Sequence, residues 1–201
     1  MIPKIIYYTW VSPDPLPEKF NPYIETWKQK MPDYEIRQIS LENIVQSPFV
    51  QECIKRGKYA IAGHYGRCER LYRTGGIYFD IDIEAVQSLD PLLDNEMVLG
   101  MEDETIINNA VIMAKMYHPF LKECLNYMDN FNLDEENPEL KTGPWMFTKL
   151  FNDLERTIIV SDILILSPRY FYPYKYTEHF TNECVTSDTF TVHHWAKTWA
   201  K

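Results

Sequence analysis

Hydrophobic residues recur along the chain with two different spacings, and the alternation between them predicts the elements. IIYYTW (5–10) and YEIRQI (34–39), rich in β-branched and aromatic residues, read as the first two strands. Between them SPDPLP (12–17) reads as a loop, and Phe20, Ile24 and Trp27, spaced by four and three, predict an amphipathic helix over 18–30. Residues 48–73 read as helical in two parts broken near Gly57, the second marked by Ile61, Tyr65, Cys68 and Tyr72. Gly75-Gly76 predicts a left-handed helix stop. After the strand that follows it, MVLGME (97–102) and IINNAVIMA (106–114) read as strands, 118–131 and 144–154 as helices, and TIIV, ILIL and FTVHH as short strands. Strands and helices alternate without internal repeats, which predicts an α/β domain with a mostly parallel central sheet flanked by helices.

The strand after Gly75-Gly76 carries the candidate chemistry. GGIYFDIDIE (75–84) places Asp80 and Asp82 in an otherwise apolar run. Strand side chains repeat every two residues, so this reading puts both aspartates on one side. Two such carboxylates could share a divalent cation or simply face water. D-x-D alone is a weak signal, because 12 aspartates in 201 residues would produce roughly 0.7 such pairs at random. Context strengthens it: the pair closes a hydrophobic strand, where parallel sheets bind ligands, and Glu84 adds a third acid. Carboxylates with open positions suit Mg²⁺ or Mn²⁺, and a histidine ligand would favour Mn²⁺.

That histidine is sought near the far end of the sequence, where VHHW (192–195) ends an alternating run. On helix 59–73, His64 and Arg67 are three apart and share a face. Arg67 reads either as a surface salt bridge or as an arginine held against a phosphate or nucleotide. Ala60, Ala62, Gly63 and Gly66 keep that helix slim enough for something to approach its backbone, tight packing of helix on sheet being the plain alternative.

Composition narrows the field. A net charge of −9 argues against nucleic acid and anionic membranes as partners. The four cysteines lack zinc or C-x-x-C spacing and read as reduced thiols. With no signal peptide and no run of about 20 apolar residues, the expectation is a soluble, cytoplasmic protein of one domain over 1–201, complete or cut from a longer chain.

IPKIIYYTW, LPEKFNPYIETWKQKMPDYEI, YAIAGHYGRCERLYRTGGIYFDIDIE, INNAVIMAK, TGPW and VHHWAKTW follow one another in a familiar order. Together they resemble the DXD-containing glycosyltransferases of the capsular-polysaccharide and initiating mannosyltransferase type, glycosyltransferase family 32, over residues 2–199. They also look like the catalytic domains of algal-virus glycosyltransferases. The resemblance implies a GT-A (Rossmann-like) fold. It implies transfer of a hexose or deoxyhexose from a nucleotide sugar, UDP-linked before GDP-linked, to a glycan or glycoprotein acceptor with retention of configuration. The implied cofactor is Mn²⁺, with Mg²⁺ the alternative.

Carried onto this sequence, the resemblance implies Asp80, Asp82 and Arg67 as catalytic residues. Asp80, Asp82 and His193 would hold the metal, with His194 in reserve. Thr9 and Trp10 would face the base, Arg67, Asp80 and Asn109 the donor, and Lys197 the pyrophosphate. Asn108 and the Thr142-Gly143-Pro144 turn would line the donor or acceptor pocket, with Gly143 on the donor side. Two departures stand out. G-H-Y-G-R replaces the family's S-D-Y-A-R, so His64 stands at a donor-binding position where an aspartate normally holds sugar hydroxyls. Tyr7 stands where many relatives have histidine. The first departure keeps a second reading open, a catalytically weak nucleotide-sugar or glycan-binding module. A phosphatase using the first aspartate as nucleophile is disfavoured, because its strand belongs near the N-terminus and its downstream acidic signature is missing.

Overall fold

The computed structural model describes residues 1–155 and 157–196. Its elements run in the order β1 (Ile5–Trp10), α1 (Asn21–Lys30), β2 (Glu35–Ser40), α2 (Pro48–Lys55), α3 (Tyr59–Thr74), β3 (Gly76–Phe79), β4 (Ile83–Ala85), β5 (Met97–Met101), β6 (Ile107–Ala114), α4 (Pro119–Asp129), α5 (Pro138–Lys141), α6 (Pro144–Leu154), β7 (Ile163–Leu166), α7 (Pro168–Phe171) and β8 (Thr191–His193). The periodic segments fold as their patterns predict. Residues 18–20 form a turn of 3₁₀ helix leading into α1, and Gly57, at φ 69°, separates α2 from α3.

Six strands make the central sheet in the order β2-β1-β3-β6-β5-β7. β2, β1 and β3 run parallel, β5 and β7 run parallel, and β6 is antiparallel to both of its neighbours β3 and β5. The sheet is therefore mostly parallel with one reversed strand. β4 and β8 form a separate antiparallel pair. Two apolar clusters cover the two faces of the sheet, one built on α2, α3, α4 and α6, the other on α1 and the segment around Phe171-Tyr172.

Two details differ from the sequence reading, and a third resolves an alternative it left open. TIIV is not a strand: residues 158–160 form a 3₁₀ turn, with Val160 buried beneath it. Gly75 caps α3 at φ 64° but ψ −173°, a glycine conformation outside the left-handed helical basin. Gly63 and Gly66 do hold α3 close to something, and that something is the protein itself. A Cβ on Gly66 would lie 2.9 Å from Ile44 Cδ1, and one on Gly63 3.4 Å from Thr9 Oγ1.

Candidate active site

β3 ends at Phe79, one residue before the first aspartate. Asp80 still holds the edge of the sheet through its N–H, which donates to Ala110 O at 2.8 Å. The chain then turns, Ile83 N–H donating back to Asp80 O at 3.1 Å, and re-enters extended structure as β4. The two aspartates therefore do not share a face of one strand, as the period of two suggested; a turn brings them together. Trp27 of α1 anchors the far side of this turn, its fully buried indole N–H donating to Ile83 O at 2.6 Å.

The pairing of β4 with β8 decides the histidine. In that register Ile83 lies opposite His193, and His194 N–H donates to Asp82 O at 3.1 Å. His193 Nε2 comes within 3.2 Å of Asp82 Oδ1. His194 points elsewhere, bonding Glu84 Oε2 at 2.8 Å and stacking on Tyr23 at 5.0 Å between ring centres. Glu84 is thereby drawn to His194 and is no third acid of the cluster. One ligand atom each from Asp80, Asp82 and His193 lies within 4.8 Å of the others, the one such grouping among the described residues.

Electrostatics bind the pair tightly. Burial favours the neutral Asp82 carboxyl, but the charge and hydrogen bond of His193 and the Ala196 N–H, 2.7 Å from Oδ2, outweigh it and hold Asp82 at about 2. Burial likewise opposes a charged His193, and Asp82, helped by Asp80 and Glu102, raises it above the ordinary histidine value.

Arg67 organises the other side. It is buried, donates from Nη1 to Asn109 O at 2.8 Å, pairs through Nη2 with Asp80 Oδ1 at 3.1 Å and lies 4.2 Å from the Tyr78 ring centre. This excludes the surface salt bridge as its role. Desolvation is the largest influence and works against its charge, but Asp80, together with Tyr78, Cys68 and Tyr172, outweighs it and raises Arg67 above the ordinary guanidinium value. Tyr78 extends the network: its hydroxyl donates to Asp80 Oδ1 at 2.7 Å and sits 2.8 Å from Thr9 Oγ1. A phenol has one proton, so Thr9 donates to Tyr78.

Of the residues singled out from sequence, Thr9, Arg67, Asp80 and Asn109 thus join one network, and Asp82 and His193 adjoin it. His64 lies one helical turn from Arg67 and meets the 142–144 turn, its Nδ1 being 3.0 Å from Thr142 Oγ1 and its Cε1 3.3 Å from where a Cβ on Gly143 would stand. Trp10 is tied to its own loop by an indole bond to Asp14 O at 2.8 Å. Asn108 bonds Glu102 Oε2 at 2.8 Å and turns its own carbonyl to the Ala110 N–H. Lys197 lies outside the described residues.

Among the described residues three side-chain atoms are sealed from water with no hydrogen-bond partner: Arg67 Nε, Asn109 Nδ2 and His193 Nδ1. Orphaned polar atoms are rare in folded proteins. Here all three belong to one site. Two carboxylates and an imidazole fit a divalent cation of the Mn²⁺ kind, which takes hard oxygens together with imidazole nitrogen. Sequence reasoning missed Tyr78, Glu102 and Tyr172. Tyr172 is buried edge-on to His193 at 6.0 Å and accepts the Val111 N–H at 2.9 Å. Nothing in their spacing distinguishes them from core or loop residues.

Residues 17–99, which include both aspartates and Arg67, match the family described as "Glycosyltransferase sugar-binding region containing DXD motif". This stretch is similar to the DXD-type sugar-binding region of glycosyltransferases. The chain is 28% identical over 144 residues to the mouse (Mus musculus) lactosylceramide 4-alpha-galactosyltransferase, covering 65% of this chain and 39% of that protein. It is 28% identical over 153 residues to inositol phosphoceramide mannosyltransferase 3 of Schizosaccharomyces pombe, covering 71% of this chain and 43% of that protein. The chain thus spans less than half the length of these relatives. Among solved structures it superposes on the PaToxG glycosyltransferase with a TM-score of 0.64 and 22% identity, over 76% of this chain and 68% of that one. It superposes on a glycosyltransferase involved in glycosylating the major capsid of PBCV-1 with a TM-score of 0.55 and 14% identity, over 94% and 92%. The fold around the DXD region is the GT-A fold. No helix among the described residues is long and apolar enough to cross a membrane.

Proposed function

We propose that residues 1–201 form a GT-A catalytic domain. It moves a hexose or deoxyhexose from a nucleotide sugar, UDP-linked in the first instance, to a glycan or glycoprotein acceptor. The observation that carries this reading is the convergence of Asp80, Asp82 and His193 beyond the end of β3, the two aspartates coming from the stretch similar to a DXD sugar-binding region and His193 from β8. Those three residues would hold Mn²⁺, or Mg²⁺ in its place, and the cation supplies Lewis-acid stabilisation of the diphosphate leaving group.

The chain's own residues do the rest. Arg67 fixes Asp80 by charge and Tyr78 fixes it by hydrogen bond, so the carboxylate is oriented before any ligand arrives. Arg67 and Asn109 stand beside Asp80 on the side assigned to the donor. Thr9 and Trp10, at the end of β1, stand on the side assigned to the base. No residue is assigned as a covalent nucleophile, and transfer proceeds on the front face with retention. A labelled donor whose product carries inverted configuration would overturn retention and leave transfer intact.

The test is a calorimetric titration of UDP, with and without MnCl₂, on wild type and Asp82→Ala. Metal-dependent binding that disappears in the variant supports the reading. No binding of UDP or GDP by folded wild type overturns it. His64, where the resemblance implies an aspartate, favours a second reading, a module that binds the nucleotide sugar without turnover. Release of free sugar from the donor in the absence of acceptor separates the two, because only the transferase cleaves it.

A further inference from the structure

Glu102 follows β5 directly, as Asp80 follows β3. β6 lies between these two strands and is antiparallel to both, so β3 and β5 run the same way and end on the same edge of the sheet. Neighbouring strands are roughly 4.8 Å apart, which sets the backbones of the two acids about 10 Å apart along that edge.

Three hydrogen bonds fix one acid relative to the other. Asp80 N–H donates to Ala110 O at 2.8 Å, Ala110 N–H donates to Asn108 Oδ1 at 2.7 Å, and Asn108 Nδ2 donates to Glu102 Oε2 at 2.8 Å. Asn108 is buried and both ends of its amide are used, so its orientation is set. A glutamine at 102 would accept from Asn108 equally well, so this bond alone does not call for a charge. Asn108 is the one side-chain partner of Glu102 among the described residues, and about three of the lone-pair sites on its half-buried carboxylate stay open.

Tyr172 joins Glu102 to the cation cluster. A Cβ on Gly100 would lie 2.8 Å from Tyr172 Cε2, so the tyrosine packs against β5 just before Glu102, and its other neighbour is His193. The charge of Glu102 reaches both. Against burial, Asp82, Asp80 and then Glu102 raise His193. Burial first, then Asp80 and Glu102, push the Tyr172 hydroxyl well above the ordinary phenol value. Glu102 is nevertheless no member of the Asp80, Asp82 and His193 grouping. It is repelled by a diphosphate, and what it can hold there is a hydroxyl. With the base assigned to the end of β1 and the cation beyond β3, the strand order carries a ligand outward past Asn109 on β6 and then to β5. That is the side from which an acceptor meets the donor.

We propose that Glu102 is an acceptor-binding residue: its carboxylate, positioned by Asn108, accepts a hydrogen bond from a hydroxyl of the acceptor sugar and orients that sugar toward the donor. This rests on the transferase reading and extends it to the acceptor.

The test titrates methyl glucoside, methyl galactoside and methyl mannoside into wild type, Glu102→Gln and Glu104→Gln, each loaded with MnCl₂ and whichever of UDP and GDP binds. Glutamine at 102 keeps the Asn108 bond without the charge, and Glu104, exposed on the same loop, controls for charge alone. Wild type should bind at least one glycoside, and Glu102→Gln should bind it about tenfold more weakly. Its nucleotide affinity should be unchanged, a split that mere loosening of the loop would not produce. Glu104→Gln should match wild type. Equal glycoside binding in Glu102→Gln, or a parallel loss in Glu104→Gln, overturns the assignment. A fall in nucleotide affinity in Glu102→Gln also overturns it, because the residue would then serve the donor. Wild type that binds nucleotide with MnCl₂ but no glycoside overturns it and leaves the transferase reading standing. Wild type that binds neither UDP nor GDP overturns that reading, and this inference with it.

Discussion

The Arg67 guanidinium lies 3.1 Å from the Asp80 carboxylate and 4.2 Å from the centre of the Tyr78 ring, while its Nη1 holds the Asn109 carbonyl. One planar group thus ties α3 to the end of β3 and to β6. Lysine carries the same charge but cannot make a forked contact and lie flat on a ring together. Arg67→Lys should leave the circular dichroism spectrum unchanged and reduce turnover by about 100-fold through misplaced Asp80. Wild-type turnover in this variant would reduce Arg67 to a packing residue.

Tyr78 supports the same carboxylate from below. Tyr78→Phe removes the hydroxyl between Thr9 and Asp80. The expected loss is about 1 kcal/mol of stability, read by urea denaturation, with a rise in donor KM larger than any fall in cation affinity. Equal changes in both would mean that the hydroxyl acts on the cation site as a whole.

His193 and His194 are adjacent in sequence and opposite in role. His193→Ala should abolish Mn²⁺-dependent UDP binding, because it removes one of three converging ligands. His194→Ala loses the Glu84 bond and the Tyr23 stack and should retain that binding with a lower melting temperature. Electron paramagnetic resonance of bound Mn²⁺ distinguishes the two, and loss of the bound signal in His194→Ala would reverse the assignment.

Acid sensitivity has a source outside the site. His118 caps α4 by accepting the Phe120 N–H at Nδ1, and its Nε2 lies 3.2 Å from Asp162. Burial lowers its affinity for a second proton, more than Asp162 raises it. A histidine depressed in the fold contributes stability that is present above its unfolded value, 6.5, and is lost as pH falls through its folded one. His118→Asn keeps a capping acceptor without the titration. The stability advantage of wild type over this variant should shrink from pH 7.5 to pH 5, as followed by thermal melts. A constant difference would place the acid sensitivity elsewhere.

The backbone just before the aspartates tolerates no side chain. Gly76 has φ 115°, and a Cβ there would lie 2.9 Å from Ile5 O and 3.2 Å from Tyr7 Cε2. Gly76→Ala should lower stability by more than about 2 kcal/mol and displace Asp80 with it. Gly57 is at φ 69° with open space around its missing side chain. Gly57→Ala should cost only about 1 kcal/mol. Parallel urea titrations compare them, and equal losses would show that conformation, not crowding, governs Gly76.

Local patterns determined much of this protein. The strand and helix periods marked β1, β2, α1 and the α2–α3 break at Gly57, because short-range sterics and the hydrophobic repeat act within a few residues. The D-x-D behind Gly75-Gly76 was visible for the same reason. The reversal of β6 was not, since a buried strand shows the same apolar run in either direction. TIIV was misread because four apolar residues suit a strand or a short turn equally. The turn that joins Asp80 to Asp82, the choice of His193 over His194, and the recruitment of Glu84 away from the cluster all depend on the register of β4 against β8. Tyr78 looked like core because its ring is core; only its hydroxyl belongs to the site. Pairing between segments far apart in the chain is set by how the whole core closes, and no local period records it.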